Sequence, residues 1–108
     1  MALARRRTAA ADDMTEIMAN ARDAADFLKA LAHESRLAIL CLLSKGEKSV
    51  GELEAALDLR QSTVSQQLSR LRLEGLVSTR RDGKSIYYSL ANADVETILG
   101  AVHKVFCK

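Results

Sequence analysis

At 108 residues the chain holds one domain, which excludes a second full domain or any large enzyme architecture. Apolar residues are 48% and aromatics only 4%, with no tryptophan or proline, so the core must be aliphatic, and no apolar run reaches the roughly 18 residues of a membrane span. The net charge of +2 hides an uneven distribution: residues 60–84 carry six basic side chains (Arg60, Arg70, Arg72, Arg80, Arg81, Lys84) against two acidic ones, while residues 1–59 carry eight against ten, so the basic block points to a local polyanion-binding face.

Residues 1–11 read as a flexible N-terminal arm ahead of a domain over 12–108, with Arg5, Arg6 and Arg7 in the arm. Asp13 and Glu16 have capping-box spacing. Met14, Ile17, Met18, Ala21, Ala25 and Leu28 then form one apolar stripe on a helix of about four turns. A second helix starts at His33 or Glu34, is apolar in every direction from Leu37 to Leu43, and ends at Gly46; such a helix belongs at the centre of the domain. Ser49 and Glu52 form another capping box and open a short helix to Leu57. After the connector Asp58-Leu59-Arg60, a helix runs from Gln61 to Leu73 with Val64, Leu68 and Leu71 inward, stopped by Gly75.

Asp82-Gly83 then predicts a two-residue hairpin loop, pairing Arg81 with Lys84, Thr79 with Ile86 and Val77 with Tyr88, with Arg80 and Tyr87 on the opposite face. Asn92 caps a last helix whose Val95, Ile98, Leu99, Val102 and Phe106 share a stripe. The predicted fold is mainly α with a small β-hairpin, in the order α-α-α-α-β-β-α. Apolar stripes on both the first and the last helix predict a homodimer through those two helices, because two-fold pairing buries both.

A short helix, a tight turn, a second helix and a basic hairpin is the layout of a winged helix-turn-helix. The second helix of such a pair enters the major groove of double-stranded DNA. Its N-terminal residues here are Gln61, Ser62, Thr63, Ser65, Gln66 and Gln67, whose hydroxyls and amides suit hydrogen bonding to bases and phosphates. Arg70 follows on the same helix, and Arg80, Arg81 and Lys84 on the hairpin are expected to meet the DNA backbone. The bland alternative is a polar helix and a charged turn with no ligand.

The stretch HESRLAILCLL, followed by VGELEAALDLRQSTVSQQLSRLRLEGLVSTRRDGKSIYYSL, resembles the ArsR-type winged-helix repressors over about residues 27–91. The resemblance implies a homodimer built on the first and last helices that binds an operator and releases it when an inducer arrives, and the want of an export signal points to the cytoplasm. Arg60 departs from the pattern, since many relatives begin this helix with a capping Ser or Thr. The metal sites of the family are not matched: the first helix of the pair reads ELEAAL without a thiol, and the last helix keeps Asp94 but has Glu96 and Cys107 where histidines would stand, leaving His103 alone. No metal and no cofactor is therefore expected.

Two cysteines remain, Cys41 on the central helix and Cys107 at the end of the last one. They are too few for a structural zinc site, and the three N-terminal arginines precede no apolar segment that would direct export. The pair is similar to that of the persulfide-sensing branch of the family. That likeness implies that reactive sulfur species, persulfides and polysulfides, link Cys41 to Cys107 through a disulfide or polysulfide bridge and free the DNA. Cysteine is also a common core residue, which is the plainer account of Cys41 taken alone. The rival functions are a metal-responsive repressor of the same fold and a thiol-disulfide enzyme; the latter needs a C-x-x-C pair that the chain lacks. No catalytic residue is predicted.

Overall fold

A computed structural model describes residues 10–106, and the side chains of residues 13–106. The expected arm over its first nine residues and Cys107 lie outside that range. Five helices and three strands follow one another: α1 (Ala10–Leu31), α2 (Glu34–Leu43), β1 (Lys48–Ser49), α3 (Val50–Leu57), α4 (Gln61–Leu73), β2 (Val77–Asp82), β3 (Ser85–Leu90) and α5 (Ala93–Phe106).

Local signals account for most boundaries. His33 is the N-cap of α2, its Nδ1 accepting from the Ser35 amide at 3.2 Å. Ser49 and Glu52 complete their capping box at the start of α3. Asp58 turns the chain in the left-handed region at φ 53°, which an Asp tolerates better than most residues. Gly75, at φ 74°, ends α4 in a Schellman motif: its amide donates to the Arg72 carbonyl and the Leu76 amide to the Leu71 carbonyl. Asn92 Oδ1 accepts from the Val95 amide at 3.1 Å and caps α5.

Three expectations need correcting. Helix α1 starts at Ala10, so Asp13 and Glu16 lie inside it rather than capping it; alanine is the strongest helix former, and the helix runs on through Ala10-Ala11. The hairpin belongs to a three-stranded sheet of order β1-β3-β2, because Lys48 and Ser49 pair with Tyr88 and Tyr87. The hairpin register is two residues away from the predicted one: Asp82 pairs with Ser85, Arg81 with Ile86, Thr79 with Tyr88 and Val77 with Leu90. The loop is therefore Gly83-Lys84, with Gly83 at φ 65° in the first central position, where a II′-type turn calls for Gly. A two-residue shift keeps every side chain on its predicted face.

The core joins the C-terminal end of α1 (Phe27, Ala30, Leu31) to α2 (Ile39, Leu40, Leu43), α3 (Leu53), α4 (Val64, Leu68, Leu71) and α5 (Val95, Leu99). It is aliphatic apart from Phe27, as composition requires. The rest of α1 stands away from this body. The radius of gyration is 15.9 Å, against about 13 Å for a compact domain of this length, and the long axis measures 52 Å.

Candidate nucleic-acid interface

Helix α4 is held down by Val64, Leu68 and Leu71, all fully buried. That anchoring turns Gln61, Ser62, Gln66 and Arg70 to solvent and leaves Thr63, Ser65 and Gln67 half-buried. Arg60 is the N-cap but makes no side-chain cap hydrogen bond, so the first-turn amides of α4 have no side-chain acceptor from it. Arg70 pairs with Glu74 one turn on, at 3.4 Å. Arg72 is exposed.

The two glutamines differ. Gln67 Oε1 accepts from Arg36 Nη1 at 3.1 Å, while Gln66 is exposed. Arg36 also donates through Nε to the Ala30 carbonyl at 2.6 Å and through Nη2 to the Lys29 carbonyl at 3.3 Å. It thus satisfies carbonyls in the last turn of α1 while holding a side chain of α4. Sequence reasoning passed over Arg36, because it lies outside the basic block; a single Arg at the start of an otherwise apolar helix was the available signal.

On the hairpin, Arg81 and Lys84 are exposed near the tip. Arg80 is engaged within the chain. Its Nε and Nη2 donate to the two carboxylate oxygens of Glu47 at 3.0 and 2.6 Å, and its Cζ lies 4.9 Å from the centre of the Tyr87 ring. Hydrogen bonding to Arg80 holds the Glu47 carboxyl below the usual carboxylate range. Glu47 was also missed, since the two-residue strand it precedes leaves no periodic trace.

Cys41 is half-buried and packs against the core, with its carbonyl accepting from Ser44 Oγ at 2.5 Å. Helix α2 packs against α5. Asp94, Glu96 and His103 are exposed on α5, and among the described residues no group of three or more His, Cys, Asp or Glu could hold a metal ion. No described helix is long and apolar enough to cross a membrane.

A family model for the bacterial regulatory proteins of the arsR family matches residues 33–79, which span α2, α3, α4 and the start of β2. The biofilm growth-associated repressor of Agrobacterium fabrum is 51% identical over 87 residues, covering 81% of this chain and 74% of that protein. The solved structure of reduced HlyU from Vibrio cholerae superposes with a TM-score of 0.83 at 42% identity, over 86% of this chain and 98% of that one. The homodimeric winged helix-turn-helix DNA-binding domain of a Mycobacterium bovis protein gives a TM-score of 0.74 at 38% identity, over 82% of each chain. The family model covers the helix pair and the Agrobacterium relative is 51% identical over four-fifths of the chain, so the chain belongs to the arsR family of bacterial regulatory proteins and is a DNA-binding transcriptional regulator, not an enzyme.

Proposed function

We propose that the protein is a homodimeric repressor of the bacterial cytoplasm that leaves its operator when reactive sulfur species bridge Cys41 and Cys107. The observation that carries this reading is the packing of α2, which holds Cys41, against α5, whose last residue Phe106 immediately precedes Cys107 in the chain. The dimer is supported by the open apolar side of α1, where Ile17 is 53% exposed, and by Phe106 on α5, which is 80% exposed. Two-fold pairing would set two copies of α4 about 34 Å apart, the spacing of successive major grooves. Gln61, Ser62, Thr63, Ser65, Gln66 and Gln67 would then serve base and phosphate contacts, and Arg70, Arg81 and Lys84 the backbone.

The chemistry balances with a low-molecular-weight persulfide as the oxidant. A cysteine thiolate attacks the outer sulfur of the persulfide RSSH, gives a cysteine persulfide and releases the thiol RSH. Attack by the second thiol on the inner sulfur of that cysteine persulfide closes a disulfide and expels hydrogen sulfide. If the second cysteine is also sulfurated, condensation of the two persulfides gives a trisulfide and hydrogen sulfide. A direct disulfide needs Cα atoms within about 7 Å, and each inserted sulfur extends the reach by about 2 Å. A thiol pair slightly too far apart would therefore answer persulfide in preference to peroxide. Bridging α2 to α5 would change the angle between the helix pair and the dimer helix. A coupling of about 1–3 kcal/mol, or 5- to 150-fold in affinity, empties an operator.

The test is operator binding before and after persulfide treatment, with mass spectrometry of the products. Wild type should release the DNA and show a Cys41–Cys107 link; Cys41→Ser and Cys107→Ser should bind normally and stay bound, with or without a chelator. Release by either variant contradicts the two-thiol bridge, and tight metal binding that alters operator affinity replaces it with a metal switch.

A further inference from the structure

Arg80 lies in a row that crosses the whole sheet. Strand pairing sets Arg80 of β2 opposite Tyr87 of β3, and Tyr87 opposite Ser49 of β1. The guanidinium passes over the Tyr87 ring and ends in a two-bond fork on Glu47, just ahead of β1. The remaining nitrogen, Nη1, lies 3.8 Å from Asp82 Oδ2. All three nitrogens of the guanidinium therefore face carboxylates of their own chain. Beyond Glu47 the strand leads straight to Ser49, the cap of α3.

We propose that Arg80 is a positioning residue of the wing and not a phosphate ligand: it straps β2 across β3 to Glu47 and so fixes the hairpin against the start of the helix pair. Turning Arg80 to a phosphate would break two charge-assisted hydrogen bonds. It would also leave the Glu47 carboxylate facing a polyanion. A fork of this kind belongs to arginine; lysine supplies the charge without the paired geometry. The phosphate contacts of the wing then fall to Arg81 and Lys84. This inference rests on the reading that operator DNA meets both α4 and the wing.

The experiment measures operator affinity of the full chain as a function of salt for three variants. Arg80→Lys keeps the charge and loses the fork. The double variant Arg80→Ala/Glu47→Ala removes the pair and leaves the local charge unchanged. Arg81→Ala removes a proposed phosphate contact. The strap predicts that the first two each weaken binding by about fivefold or more while keeping the wild-type salt slope. Arg81→Ala should flatten that slope by about one unit. Wild-type affinity for Arg80→Lys, or a slope about one unit flatter in the double variant, overturns the proposal. A wild-type slope for Arg81→Ala would instead contradict the phosphate contact assigned to Arg81, and is read independently of the two Arg80 variants.

Discussion

Helices α1 and α2 are both rich in apolar residues, and they end up in opposite surroundings. Ile39 and Leu40 of α2 are completely buried inside the chain. Among the described side chains of α1 only Phe27, Ala30 and Leu31 reach the core, while Met14, Ile17, Met18 and Leu28 stay half or more exposed. Apolar residues recurring at helical spacing identify a face that must be covered; they do not say whether the cover comes from the same chain. For α2 it does. For α1 the cover is proposed to be a second copy.

That contrast can be broken most forcefully at Leu40. Replacing it by Ala should cost about 2–5 kcal/mol, because the site is sealed and cannot collapse freely. Urea denaturation should show this loss at every protein concentration, whereas Met18→Ala on α1 should show a loss that depends on protein concentration. On the recognition helix the comparison is between Gln66 and Gln67. Gln66→Ala should relax sequence preference by about 1–3 kcal/mol at one base position in a binding-site selection. Gln67 is half-buried and its Oε1 is tethered by Arg36, so its amide is less free than that of Gln66 to turn to a base edge, and Gln67→Ala should lose less discrimination.

Smaller effects test the caps. Ser49→Ala removes the acceptor for the Glu52 amide and should cost about 1 kcal/mol in a thermal or denaturant melt. The smallest effect is in acid. Hydrogen bonds from the Ser49 backbone amide and side chain, in that order, hold the Glu52 carboxyl below its ordinary value of 4.5. A carboxyl lowered in the folded state contributes stability that is present above the unfolded value and lost as pH falls through the folded one. Glu52→Gln should therefore make the loss of stability below about pH 4.5 less steep, as read from melts over that range.

The helices were legible because their signals are local. Ser49 and Glu52, Gly75 and Asn92 each act within a turn or two of the boundary they set, and Val64, Leu68 and Leu71 anchor α4 as their spacing implies. What was hidden is non-local. Strand β1 is two residues long and exists only because β3 lies beside it. The hairpin register turned on which side of Gly83 the loop fell, and both choices keep the same faces. Arg80 was legible as a basic residue near the wing tip, but its partner Glu47 is 33 positions away, so no local pattern announces the strap. Arg36 joins α1 to α4 in the same non-local way.

The proposed dimer is tested most directly by sedimentation of the chain alone and with operator duplex. Wild type should sediment as two chains, and as two chains on one duplex. Ile17→Asp, which puts a charge in the exposed apolar side of α1, should sediment as a folded single chain with its operator affinity lost. A wild-type monomer that binds the operator at full affinity, or an Ile17→Asp protein that remains dimeric and binds as before, would contradict two-fold pairing through α1 and α5.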